Sequence, residues 1–427
     1  MILVFIAFFA MMIFGMPVAF AIGIAGVLFF LQNPMLPLTM PAQLALTQTQ
    51  NFILLAIPLF IFSGNLLNET GITKRLIKLS TVLVGHMRAD LAQLTVVLSA
   101  MMGGVSGSAI ADAAMQSRIL GPDMDKRGYA KGFSAGIVGY SALIVTAIPP
   151  GIGLVLYGSI GEVSIGRLFA GGIVPGLLMT LFLMITVAII ARKKGYVAVR
   201  EKKASLKEVA ITFIDSIWAF LFPILLIVGL RFGFFTPSEA GAFAVVYAII
   251  IGVLVYKELT WKKFVKTLEN TSIDIGMVMF LIAMSGIFGY GIIWEQIPQV
   301  LSTFMLGITQ TPWILMFIIV AFLIIAGMFM DSTVLILLLT SILLPVASSV
   351  GIDPVHFGLI MVMTLTIGLL TPPVGVAMYT ICSIMNCSME DFFKESIPFL
   401  IAVTLVVLLI IFFPQIVLFV PNMIFGS

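Results

Sequence analysis

Two long apolar runs in this chain are interrupted at their middles by the same device. The first reads Thr146-Ala-Ile-Pro149-Pro150-Gly-Ile-Gly153-Leu-Val-Leu-Tyr157 and the second Gly368-Leu-Leu-Thr371-Pro372-Pro373-Val-Gly375-Val-Ala-Met-Tyr379. Pro149 and Pro372 are 223 positions apart, and a one-residue gap pairs Gly153 with Gly375 and Tyr157 with Tyr379. Consecutive prolines remove two backbone donors and clash with the preceding turn, so no unbroken helix passes through either stretch. The setting is a bilayer. Of 427 residues, 61% are hydrophobic and 10% charged, with a mean hydropathy of +1.21; soluble proteins hold about 45–50% and about 25%. Inside a membrane a broken helix is tolerated only where protein or a wet cavity receives its freed backbone groups. A matched pair of such breaks points to a transport site near mid-membrane.

A hydrocarbon core of ~30 Å takes about 20 helical residues per crossing. On that measure residues 1–31 read as two spans parted at Gly15-Met16-Pro17, and 32–51, free of charge, as an interfacial segment. A third span covers 52–67, and 74–88 is an amphipathic segment at a water boundary. Residues 91–118 are split by Gly103-Gly104-Val105-Ser106-Gly107-Ser108. Arms of about a dozen residues rise only ~18 Å each, which predicts a re-entrant hairpin, followed by a charged loop that holds Arg118, Lys126, Arg127 and Lys131. A broken span at 132–158 and a span at 169–191 close the first half, 1–191, and a basic linker, 192–208, precedes the second, 209–427.

The second half repeats the order. Spans at 213–230 and 240–256 are joined at Thr236-Pro237, an amphipathic segment covers 257–270, and a further span covers 273–293. A second hairpin is placed at 314–345 with Gly327 and Asp331-Ser332-Thr333 at its middle, 223 residues after the first in the pairing of Gly104 with Gly327. The broken span 357–385 and a last span, 397–420, finish the chain. The fold expected is all-α and polytopic, an inverted repeat with five spans and one re-entrant hairpin per half. Five crossings per half put 20 of the 22 Lys and Arg on one side, leaving Arg167 and Arg231 opposite. The positive-inside rule then places both termini outside.

Hairpin tips and broken spans present backbone carbonyls and half-helix N-termini where water is scarce. Carbonyls suit Na⁺, and helix N-termini suit a carboxylate. Ser106 and Ser108 supply hydroxyls at the first tip, Ser332 and Thr333 at the second, and Thr146 and Thr371 stand before the double prolines. A single Ser or Thr in a helix usually bonds its own backbone; clustering at four paired interruptions favours ligation. Asp112 and Asp331 lie just past the two tips, placed to order the tip loops, cap a half-helix or join a cation site. No Lys or Arg occupies either tip or break, so an anion there needs helix ends, hydroxyls and a bound cation, which predicts Na⁺ coupling. Two Cys and two His exclude a disulfide scaffold or a His/Cys metal centre, and no cofactor is expected. The lack of a nucleophile–base pair argues against an intramembrane enzyme.

The tip Gly103-Gly-Val-Ser-Gly-Ser-Ala-Ile-Ala-Asp112 and the loop Lys126-Arg-Gly-Tyr-Ala-Lys-Gly-Phe133 resemble the large membrane (M) subunit of tripartite ATP-independent periplasmic (TRAP) transporters. So do Thr236-Pro-Ser-Glu-Ala-Gly241, Gly351-Ile-Asp-Pro-Val-His-Phe-Gly358 and Gly368-Leu-Leu-Thr-Pro-Pro-Val-Gly375. The resemblance spans essentially the whole chain and is nearest the sialic-acid branch, although these motifs do not separate sialic acid from C4-dicarboxylates. It implies an elevator mechanism with scaffold and transport domains, Na⁺-driven uptake in the bacterial inner membrane, a separate small membrane (Q) subunit and a periplasmic substrate-binding (P) protein, with no role for nucleic acid. It nominates Gly104, Ser106, Thr146, Ile148 and Pro150 for one Na⁺ site, and Gly327, Gly368, Thr371 and Pro373 for another. A stand-alone ion-coupled carboxylate transporter explains the residue-level reading equally well; uptake with and without a binding protein separates the two.

Overall fold

The computed structural model describes residues 1–426 except 51, 199 and 201. Residue 51, at the end of the expected interfacial segment, and residues 199 and 201 of the linker lie outside the described residues. Helices account for all regular structure among the described residues. Eight of them are long and apolar enough to cross a bilayer, or nine if the bent pair Lys131–Ala147 and Ile152–Ile160 is one span. The chain is therefore a polytopic all-α membrane protein.

Element order repeats along the chain. Helices beginning at Ile72, Ala109, Lys131, Ile152 and Ile165 have counterparts beginning at Ile297, Ser332, Pro354, Val376 and Met389, offset by 223 to 225 residues. The cause is punctuation: Gly-rich tips, double prolines and polar N-caps recur at matched places. Ser164 caps Ile165–Lys194 and Ser388 caps Met389–Phe412, each hydroxyl accepting a first-turn N–H. Thr236 and Glu239 form a reciprocal capping box at the start of Pro237–Ile250.

Several expected boundaries move. The two N-terminal segments are helices of only 12 and 15 residues, Ile2–Ile13 and Val18–Gln32, short of the ~20 residues a crossing takes. The segments expected at 257–270 and 273–293 are one 34-residue helix, Trp261–Trp294, because Asn270, Thr271 and Ser272 bring neither Gly nor Pro to end it. Ile297–Ile308 is a further helix, with Pro298 in its first turn, where no element was expected. The last span instead runs Met389–Phe412 and stops before Pro414, with Gln415–Phe425 beyond.

The hairpin arms are also longer than the length argument supposed. Asp90–Met102 has 13 residues, but Ala109–Lys126, Pro312–Phe329 and Ser332–Ser349 have 18 each. Arg118 and Lys126 thus belong to a helix rather than a loop. What locates the first tip is its neighbours. A carbon added to Gly104 would lie 3.1 Å from Pro223, inside Leu206–Arg231, and one on Gly64, inside Ala56–Glu69, would lie 3.2 Å from the Val105 and Ser106 carbonyls.

The two broken helices pack against each other through small residues, the means by which helices approach closely where lipid removes the hydrophobic drive. A carbon on Gly153 would sit 3.1 Å from Val362, and Gly358 lies under the Tyr157 ring. The Tyr157 hydroxyl donates to the Pro354 carbonyl at 2.7 Å. Buried Phe133, Tyr140, Phe357 and Phe399 fill the space around them. At the charged end, Arg75 pairs with Glu258 at 2.9 Å and Asp215 at 3.3 Å, tying Ile72–Val84 to Leu206–Arg231. Arg75 and then Lys74 hold the Glu258 carboxyl below its usual range.

Candidate functional site

A cavity of about 340 Å³ lies where the interruptions meet, at the small end of the ~300–1,000 Å³ typical of ligand pockets. Ser106 and Ser108 of the first tip, Thr146 of the first break, and Asp331, Ser332 and Thr333 of the second tip line it. Thr366 and Leu369, at the end of Pro354–Gly368, supply the fourth side. Among the described residues no Lys or Arg contributes to its wall.

Three helices begin at this cavity. The first turns of Ala109–Lys126, Ile152–Ile160 and Ser332–Ser349 all supply lining residues. Helix N-termini carry about half a positive charge each and N–H groups without intrahelical partners, a setting that suits an anion without a basic side chain. Asp274 and Asp331 share the wall, and Ala111 N, Ile152 N and Thr333 N already donate to Ser108 Oγ, Gly107 O and Asp331 Oδ1. Two helices end there, at Thr146-Ala147 and at Gly368-Leu369, and helix C-termini offer carbonyl oxygens to a cation.

The hydroxyls fall into two groups. Those of Ser106, Ser332 and Thr333 have no hydrogen-bond partner among the described residues and are free for a ligand. Ser108 accepts from Ala111 N at 3.4 Å as a helix cap. Thr146 donates to Leu143 O and Thr371 to Ile367 O, both at 2.8 Å. These bonds engage the proton and leave the hydroxyl lone pairs able to face a cation.

The first nominated set is brought together. Ile152 N donates to Gly107 O at 3.2 Å, and Gly107, with φ +65°, lies against the Pro150 carbonyl where any side chain would clash. A carbon added to Gly103 would lie 2.6 Å from Ile148 Cβ, so Ile148 and Pro150 flank the tip that carries Gly104 and Ser106. Of the second set, Gly327, Gly368 and Thr371 are packed, Pro373 is exposed, and none of the four lines the cavity. A carbon on Gly368 would lie 2.6 Å from Gly327 Cα, and Gly375 N donates to Met328 O at 3.0 Å. Thr371 is buried beside this contact, ahead of the cis Pro372–Pro373 bond; Pro149–Pro150 is cis as well.

The two aspartates occupy different positions. Asp331 caps Ser332–Ser349, its Oδ1 accepting from Thr333 N at 2.8 Å. Asp112 lies between the arms of the first hairpin, its Oδ2 accepting from Ser99 at 2.8 Å and Gln116 at 2.7 Å. Asp112 does not line the cavity.

The wall also holds residues that the sequence reading passed over. Asn65 and Asp274 line the cavity, with Asn65 Nδ2 donating to Thr271 Oγ1 at 3.0 Å and Asp274 Oδ2 at 3.3 Å. A polar residue inside an apolar span and an acid at the edge of another were the available signals.

Matched broken helices and hairpin tips around a small cavity that holds several hydroxyls define a membrane transporter. The chain belongs to a specific family: residues 5–416 match the tripartite ATP-independent periplasmic transporter, DctM component, the large permease of TRAP transporters. It is therefore a multi-pass inner-membrane protein. It is 35% identical over 412 residues to the sialic acid TRAP transporter large permease SiaM of Vibrio cholerae, with 96% of each chain covered. It is 32% identical over 428 residues to the C4-dicarboxylate TRAP transporter large permease DctM of Rhodobacter capsulatus, with 97% of each covered. In fold it is similar to the YdaH transporter of Alcanivorax borkumensis, with a TM-score of 0.62 at 12% identity over 89% of this chain and 88% of that one.

Proposed function

We propose that this chain carries a small carboxylate into the cell together with Na⁺, acting as a secondary transporter and not as an enzyme. The observation that carries the reading is the convergence of three helix N-termini on a cavity without Lys or Arg. The acid's carboxylate binds these N-termini and the Ser106, Ser332 and Thr333 hydroxyls, with Ser108 beside them. Na⁺ occupies two places: one formed by Gly104, Ser106, Thr146, Ile148 and Pro150, the other by Gly327, Gly368, Thr371 and Pro373. Each Na⁺ supplies positive charge that the side chains lack. Sialic acid is the first candidate substrate and a C4-dicarboxylate the second, following the relatives' names.

Transport proceeds by an elevator movement, in which the hairpins and broken helices travel with the acid against a scaffold that includes Ala56–Glu69 and Trp261–Trp294. The two halves are inverted repeats, both termini are periplasmic, and a small membrane subunit and a periplasmic binding protein complete the system. Uptake of labelled sialic acid into proteoliposomes, with both partner proteins present, tests this. The expected result is accumulation that needs the binding protein and a Na⁺ gradient. Equal uptake with choline in place of Na⁺ removes the coupling, and equal uptake without the binding protein favours the stand-alone form.

A further inference from the structure

A second polar cavity, of about 380 Å³, lies away from the transport site at the charged end of the first hairpin. Its wall includes Ser117 and Arg118 of Ala109–Lys126, Lys131 and Ser134 of Lys131–Ala142, and Asn386 just beyond Val376–Met385. Nothing in the transport reading uses these residues.

Two of these side chains are exposed cations and two are buried hydroxyls. Arg118 makes no ion pair or hydrogen bond among the described residues. Lys131 reaches only the Asn386 carbonyl, at 3.5 Å. Ser117 and Ser134 are each 2% exposed, yet their hydroxyls have no partner among the described residues. A buried hydroxyl left unpaired is destabilising, so two on one cavity wall call for an occupant. Helix Lys131–Ala142 also begins here without a capping side chain, leaving first-turn N–H groups and the positive end of its dipole open. One acid, Asp125, stands on the rim against two cations.

The enclosure is held in place independently of any occupant. Arg127 donates to both oxygens of Asp90 at 2.8 and 2.7 Å. Tyr129 stacks on Tyr196 at 4.4 Å, and the Tyr196 hydroxyl accepts from Ala130 N at 3.0 Å. On the far side Met385 packs where a carbon on Gly121 would lie, at 3.2 Å.

We propose that this cavity is a binding site for a compact oxyanion, a phosphate or carboxylate group held by Arg118, Lys131 and the Ser117 and Ser134 hydroxyls. The group comes from a free small anion or from a phospholipid head group at the membrane surface. By bridging the first hairpin, the first broken helix and the end of the second, the anion locks three elements together. The site stands whether or not the transport reading does.

The test is thermal unfolding of the full chain, purified in dodecyl maltoside and titrated with inorganic phosphate, with dihexanoyl phosphatidylglycerol, or with chloride at matched ionic strength. Phosphate, the lipid or both raise the unfolding temperature saturably and chloride does not. A response to the lipid alone identifies the head group as the source, and a response to phosphate identifies the free anion. Arg118→Gln weakens the response roughly tenfold or more, the loss of one charge-assisted hydrogen bond. Ser134→Ala weakens it by a smaller factor, and Lys262→Gln, outside the cavity, leaves it unchanged. No saturable response to either probe, or an equal response in Arg118→Gln and Ser134→Ala, overturns the assignment.

Discussion

At the first break, Gly107 of the tip rests on the Pro150 carbonyl, Ser106 and Thr146 open onto the cavity, and Tyr157 is fully buried with its hydroxyl on Pro354. At the second, Gly327 and Gly368 meet backbone to backbone, Thr371 and Pro373 stand off the cavity wall, and Tyr379, the counterpart of Tyr157, is 61% exposed. The second hairpin still brings Asp331, Ser332 and Thr333 to the site. Repetition has kept the backbone interruptions, which prolines and glycines impose whatever their neighbours, while the side chains around them have parted. The first break brings Thr146, Ile152 and Gly153 to the cavity; the second reaches it only through Leu369, and its Pro373, Val374 and Tyr379 are exposed elsewhere.

The largest expected effect lies in the packing of Gly327 on Gly368. Gly368→Ala forces a carbon to within 2.6 Å of the Gly327 backbone and should destabilise the protein by about 1–3 kcal/mol or more. Gly104→Ala meets only the Pro223 ring at 3.1 Å and should destabilise it less. Thermal unfolding of the purified variants ranks them, and the reverse order would break the comparison. Next come the hydroxyls. Ser106→Ala should raise both the Na⁺ concentration for half-maximal uptake and the KM for substrate, roughly three- to tenfold, the worth of one hydrogen bond. Thr371→Ala should move the Na⁺ dependence alone. If neither variant changes Na⁺ dependence, the ion assignment fails for both breaks.

Smaller still is the cap at the second tip. Asp331→Ala should lower stability by about 1 kcal/mol, whereas Asp331→Asn keeps an oxygen for the Thr333 N–H and should be nearly neutral. A loss as large in the Asn variant would show that the charge matters more than the cap. Asn65→Ala, on the wall supplied by Ala56–Glu69, should change substrate KM about two- to threefold with Na⁺ dependence intact.

These sites were not equally legible in the sequence. Both tips and both breaks announce themselves through Gly103-Gly104, Gly327 and the double prolines, because those residues disrupt helices on their own. Span boundaries depended on absences instead. Nothing in Asn270-Thr271-Ser272 marks either a break or its lack, so the continuity of Trp261–Trp294 emerged only with the fold. Ile297–Ile308 was hidden by Pro298, which starts a helix as readily as it ends one. The role of Asn65 depends on its partner Asp274, 209 residues away, a separation no local pattern spans. That Thr146 faces a cavity and Thr371 does not is a matter of packing alone, since both precede a double proline.

In the function proposed above, the acid sits between the two tips and the first break, held by helix N-termini with Na⁺ beside it. Cryo-electron microscopy of the full chain with its small membrane subunit in lipid nanodiscs, in sodium chloride with saturating sialic acid, tests this most directly. Ligand density is expected in contact with Ser106, Ser332 and Thr333, the carboxylate at the first turns of Ala109–Lys126 and Ser332–Ser349. Ligand density elsewhere, with this cavity holding only water, would contradict it.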